Sequence, residues 1–109
     1  MLLWKRLARS MVSRIIEWSP RARNEFDKTV AYLINKWGKS SAIKFINRVE
    51  EVLAHISKSP NIYPQSGQRK HVRRCVVAKQ VSLYFKVDEL KIELVTFFDT
   101  RLNPSKKKL

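Results

Sequence analysis

Along the second half of the chain, apolar and polar residues alternate with a period of two. Val81, Leu83, Phe85 and Val87 alternate with Ser82, Tyr84 and Lys86, and Leu90, Ile92, Leu94 and Thr96 alternate with Lys91, Glu93, Val95 and Phe97. That spacing belongs to strands with one clearly buried face. Val72–Val77 is a third β-prone run, rich in valine. The breaks at Ala78–Gln80 and Asp88–Glu89 are far too short for a parallel crossover, so Val72–Val77, Val81–Val87 and Leu90–Phe98 are predicted to form an antiparallel meander.

Upstream the rhythm becomes helical. Ser13–Trp18 reads as a short strand with Ile15, Ile16 and Trp18 as its apolar content. Ser19-Pro20 then supplies an N-cap and a first-turn proline. Ala22, Phe26, Val30, Leu33, Ile34 and Trp37 recur on one face, opposite Arg23, Asp27, Lys28 and Asn35, and Gly38 ends the helix. A second helix is predicted to be capped by Ser40 or Ser41, with Ile43, Ile46, Val49, Leu53 and Ile56 as its stripe, Phe45 and Val52 on its flank, and Ser59-Pro60 as its end. So short a connection makes the pair an antiparallel hairpin, whose apolar side must be covered by the meander. Asn61–Gln68 is a turn-rich loop, and Trp18 and Trp37 are expected in the core. The fold class is therefore α+β, ordered β-α-α-β-β-β, with the helix hairpin packed on a small antiparallel sheet. The first strand joins the sheet next to a meander strand, and the pattern leaves parallel and antiparallel pairing open. Residues 13–104 are assigned to one domain, 1–12 to a weakly ordered extension and 105–109 to a basic tail.

Charge changes the picture. Lys and Arg number 23 against 9 acids, a net charge of +14, which calls for an anionic partner: nucleic acid, a ribonucleoprotein surface or an acidic protein. Arg69, Lys70, His71, Arg73, Arg74, Lys79, Lys86 and Arg101 concentrate this charge on the sheet and its ends. Cys75 is the single cysteine, so the chain has neither an internal disulfide nor a Cys-based metal spacing; no metal and no cofactor are expected. No apolar run approaches the roughly 18 residues of a membrane span, and Lys5, Arg6 and Arg9 interrupt the apolar residues that a signal peptide needs unbroken. A cytoplasmic protein without membrane contact is expected.

The element order, together with particular residues, resembles the RelE/ParE superfamily of bacterial type II toxins. The resemblance is carried by the opening strand, Ser19-Pro20-Arg21-Ala22, the helix hairpin, Val72-Arg73 with Val76-Val77, Leu83-Tyr84, and the closing Phe97-Phe98-Asp99-Thr100-Arg101-Leu102-Asn103-Pro104. It implies a small toxin neutralised by a cognate acidic antitoxin. RelE-like members cut mRNA in the ribosomal A site without a metal; ParE-like members bind DNA gyrase and are not nucleases.

Metal-free RNA cleavage needs a proton acceptor for the 2′-OH, cations for the developing phosphorane charge and an acid for the leaving oxygen. On the RelE-like reading, Arg73 and Arg101 would clamp phosphate, His71 would move protons, and Tyr84 would stack on a base or lend its hydroxyl. Arg69, Lys70, Arg74, Lys79 and Lys86 would contact nucleic acid or another target, whereas His55 and Cys75 are expected to be structural. The chain lacks the C-terminal Tyr-bearing helix and the alternating lysine pair on the second strand that many RelE-like enzymes carry. The expectation therefore leans to ParE-like gyrase inhibition, with an mRNA endoribonuclease as the first alternative and a non-toxic basic nucleic-acid-binding module as the second.

Overall fold

The computed structural model describes residues 14–67, 69 and 71–103. The expected extension over 1–12, the basic tail over 105–109, and Lys70 lie outside the described residues. The elements are β1 (Ile15–Trp18), α1 (Pro20–Trp37), α2 (Lys39–Lys58), a short 3-10 turn (Pro60–Ile62), β2 (Val72–Ala78), β3 (Val81–Val87) and β4 (Lys91–Asp99). They follow the predicted β-α-α-β-β-β order.

The sheet runs β1-β4-β3-β2. The three later strands form the antiparallel meander, and β1 pairs with β4 in parallel, from Ile15 opposite Lys91 to Trp18 opposite Leu94. The helix hairpin between β1 and the meander supplies the long connection that a parallel neighbour requires. The sheet has two faces of different character. Cys75, Val77, Val81, Leu83, Phe85, Ile92, Leu94 and Phe97 join the main core with the helices, and Val72, Tyr84 and Phe98 form a second buried cluster with Val95 against it.

A bulge explains where simple alternation fails in β4. Tyr84 faces Thr96, but the next residue, Phe85, faces Leu94, so Val95 is skipped. Side chains on the two sides of the bulge therefore swap parity. Ile92 and Leu94 point into the main core below it and Phe97 above it, while Val95 and Phe98 belong to the second cluster. Thr96 does not continue the core face that alternation assigned to it, and Leu90 is 77% exposed at the turn.

The helices carry three corrections. Ser19 caps α1 as expected: its Oγ accepts from the Ala22 N–H at 3.0 Å and donates to the Val95 carbonyl at 2.8 Å. However, Trp37 is 63% exposed and Ile34 45%, so neither belongs to the core; Ala22, Thr29 and Leu33 are the buried residues of α1. Second, α2 begins at Lys39, directly after Gly38, and neither Ser40 nor Ser41 caps it. Gly38 adopts φ 96°, which a residue with a Cβ rarely takes, and this lets one residue turn the chain between the helices. Third, the stripe of α2 is rotated: Ala42, Phe45, Val49, Val52 and Ile56 are buried, and Ile43 is 55% exposed. Phe45, expected on the flank, stacks on Phe26 at 5.8 Å. Phe26 in turn meets Trp18 at 5.2 Å and Phe97 at 5.7 Å, so one aromatic cluster ties both helices to β1 and β4.

Candidate functional site

The end of β4 holds a tightly made lock. The Asp99 carboxylate is buried and receives the Arg101 guanidinium in a two-point contact, Nε to Oδ1 at 3.0 Å and Nη2 to Oδ2 at 2.8 Å. The Arg101 backbone N–H donates to the same Oδ1 at 2.9 Å, and the Thr29 hydroxyl donates to Oδ2 at 3.4 Å. The guanidinium lies 5.0 Å over the Tyr32 ring, and its hydrogen bonds to Asp99 hold its pKa above the ordinary arginine value. The chain then turns, with Leu102 and Asn103 N–H groups on the Asp99 carbonyl, and both residues line an open groove with Lys28, Ala31, Tyr32 and Asn35. Arg101 is thus committed to joining β4 to α1.

Arg73 is committed in a different way. Its Nη1 donates to the Tyr63 carbonyl at 2.6 Å and to the Asn61 carbonyl at 3.4 Å, and so it fastens the loop after α2 onto β2. The same loop is held by the Arg74 N–H on the Pro64 carbonyl. Tyr84 is fully buried in the second cluster, its hydroxyl has no hydrogen-bond partner among the described residues, and burial pushes its pKa up. His71 is exposed in the turn before β2, at φ 66°.

These four residues do not converge. Val81 pairs with Asp99, which fixes Arg101 at one end of the sheet, and Val72 pairs with Lys86, which fixes His71 at the other. Val81 and Lys86 are about 17 Å apart along β3 at the usual strand rise. Among the described residues, no hydrogen bond or ion pair joins any two of Arg73, Arg101, His71 and Tyr84. The remaining charges are spread over the surface. Arg74 pairs with Tyr84 across the strands and donates to the Ser82 hydroxyl at 3.3 Å; Lys86 is exposed opposite Glu93; Lys79 is exposed in the β2–β3 turn, and Arg69 before β2.

A contact invisible in the sequence joins α2 to the following loop. His55 Nδ1 lies 2.6 Å from the Tyr63 hydroxyl, and Tyr63 also packs edge-on against Phe85 at 5.8 Å. Burial and the neighbouring Cys75 push the Tyr63 phenol up, and burial does the same to the Cys75 thiol, which is therefore a poor nucleophile. His55 and Tyr63 are brought together by the turn at Pro60, so no spacing rule pointed to them. The described residues contain no group of three or more His, Cys, Asp or Glu placed to hold a metal.

A family model of the ParE toxin of the type II toxin-antitoxin system, parDE, matches residues 16–103. The chain belongs to this toxin family. The solved structures similar to the toxin agree in fold. The chromosomal ParDE system from P. aeruginosa contains a chain with TM-score 0.69 and 16% identity, over 80% of the toxin and 96% of that chain. The YoeB dimer from Staphylococcus aureus gives TM-score 0.59 and 14% identity over 80% and 97% of the two chains. The E. coli DinJ-YafQ toxin-antitoxin complex gives 0.55 and 17% over 84% and 97%. The toxin matches no curated protein by sequence. It is a type II toxin of the RelE/ParE superfamily, and no described helix is long and apolar enough to cross a membrane.

Proposed function

We propose that the toxin arrests growth by binding its target, in the ParE-like manner on DNA gyrase, rather than by cutting mRNA. The observation that carries this reading is the separation of the cleavage candidates: Arg101 is held by Asp99 at one end of the sheet, and His71 stands at the other. Transesterification needs its acid, base and cations around one phosphate. A binding surface has no such requirement. Arg74, Lys79 and Lys86 then act as docking charge, together with Arg69 and Lys70, and Arg73 and Arg101 hold the surface in shape. The match to a ParE family model supports the same side. The working unit spans 13–104, is cytoplasmic and uses no cofactor. An acidic antitoxin neutralises it, as suits a chain of net charge +14; similar toxins are found in ParDE and DinJ-YafQ systems.

The test is induction in cells without antitoxin, with mRNA 5′ ends and gyrase-linked DNA breaks mapped in parallel. Growth arrest with DNA breaks and intact mRNA is expected. New mRNA ends inside translated frames, lost when translation is blocked, would make the toxin an A-site nuclease and overturn the proposal. Normal growth with neither signal, accompanied by salt-steep binding to naked nucleic acid, would leave a non-toxic binding module instead.

A further inference from the structure

Between α1 and the turn after β4 lies an open groove of about 440 Å³, within the size range of small-molecule sites. One wall is helical: Lys28, Ala31, Tyr32 and Asn35 stand three and four residues apart, so they share one face of α1. Leu102 and Asn103 form the other wall. Both walls are fixed from behind. Thr29 and Leu33, interleaved with the groove residues, are buried on the core side of α1. The Asp99 carbonyl holds the turn by accepting the Leu102 and Asn103 N–H groups at 3.1 and 3.0 Å. The Arg101 guanidinium, itself bound to Asp99, backs the Tyr32 ring from 5.0 Å. A site already formed loses little ordering entropy when it is filled.

The lining is chemically mixed. Tyr32 supplies an aromatic surface, Asn35 and Asn103 supply carboxamides, and Lys28 supplies a single cation. Among the described residues, neither the Asn35 amide nor the Tyr32 hydroxyl makes a hydrogen bond, and the Asn103 side chain makes one long one, from Nδ2 to the Asp99 carbonyl at 3.4 Å. Lys28 meets Glu25 at 3.2 Å, but its side chain is 57% exposed and an ammonium has three donors, so it can still receive an anion. A simple anion would use Lys28 and leave the ring and the amides idle. An apolar peptide face would find only Ala31 and Leu102 to cover, and would strip the amides of water. A nucleotide uses every part: its base has a flat face for Tyr32 and a donor–acceptor edge for a carboxamide, and its phosphate suits Lys28. Adenine, with its N6 donor beside its N7 acceptor, is the base that an asparagine matches at two points. The net charge of +14 adds long-range attraction for such an anion. We propose that this groove binds an adenine mononucleotide, with its base against Tyr32 and the asparagines and its phosphate on Lys28. Such binding is independent of whether the toxin acts on gyrase or on mRNA.

The test titrates full-length toxin with adenosine 5′-monophosphate, adenosine and inorganic phosphate by calorimetry. Saturable one-to-one binding of the mononucleotide is expected, about tenfold or more tighter than either fragment. Asn35→Ala and Lys28→Ala place the best helix former at exposed helix positions, so both variants should stay folded by melting temperature. Asn35→Ala should weaken the mononucleotide by about tenfold, and Lys28→Ala should reduce it to the affinity of adenosine. Lys58→Ala removes the same charge at the far end of the hairpin and should leave binding unchanged. No saturation at millimolar mononucleotide, or unchanged binding in Asn35→Ala, would overturn the assignment. So would phosphate binding as tightly as the mononucleotide, or equal losses in Lys28→Ala and Lys58→Ala, since the charge of the whole molecule and not the groove would then be attracting the ligand.

Discussion

At the residue scale, Arg101 and Tyr84 show how side chains suited to one role by sequence take another in the fold. Arg101 is attractive as a phosphate clamp because it follows the last strand, but its guanidinium is already engaged by Asp99, whose side chain is 2% exposed. Removing one partner of a buried pair leaves the other charge stranded, so Arg101→Ala is expected to lose about 3–5 kcal/mol in urea unfolding, and Arg101→Lys a smaller amount. The raised Arg101 pKa makes this contribution complete below the unfolded arginine value, and it is lost only as pH rises through a still higher folded one. The lock therefore stays constant across the neutral range. Tyr84 behaves differently: its buried hydroxyl has no partner among the described residues, so Tyr84→Phe should raise stability by about 1 kcal/mol or more in thermal unfolding while growth arrest is unchanged. Asp88 accepts the Leu90 and Lys91 N–H groups at 2.9 and 2.8 Å, and chiefly these backbone bonds hold its pKa below the usual carboxylate value. Its contribution is present above the unfolded carboxylate pKa and fades as pH falls through the lower folded one. Asp88→Ala should therefore flatten the acid limb of a melting-temperature profile, and an unchanged limb would count against this assignment.

At the scale of elements, the α1 cap and the short breaks between the meander strands were the most legible features. Ser19-Pro20 starts α1 where local chemistry says it should, and Ser19 additionally reaches the Val95 carbonyl, so Ser19→Ala is expected to cost about 1–2 kcal/mol by chemical denaturation. The helical stripes were harder to read. A run such as Ser41-Ala42-Ile43-Lys44-Phe45-Ile46 offers apolar residues over a wide arc, and hydrophobicity alone favours the larger Ile43 over Ala42. The sheet decides otherwise: Ala42 and Phe45 face it, and Ile43 turns outward. In β4 the bulge at Val95 shifts parity midway, a change that two-residue alternation has no means to encode.

Across the whole molecule, charge dominates. A net charge of +14 on 109 residues repels itself in the compact state, and salt screens that repulsion. The melting temperature is expected to rise from low to moderate ionic strength in differential scanning fluorimetry; a fall would mean that attractive ion pairs dominate instead. The same charge is distributed unequally in character. On the sheet it accompanies polar groups and engaged arginines, and at the hairpin tip it surrounds exposed apolar side chains.

The sequence by itself determined the element order, the antiparallel meander and the α1 cap, because each follows from local periodicity or turn length. Its ordered residues also pointed to the toxin superfamily, to which the family match assigns the chain. Only the tertiary structure decided that β1 lies parallel beside β4, that Arg73 and Arg101 are occupied within the fold, that Tyr84 is buried, and that His55 meets Tyr63. It also moved Trp37 from the expected core to the surface. The physical reason is common to all of them. A side chain's partners are set by which elements the fold brings alongside, and those neighbours can lie dozens of residues away along the chain.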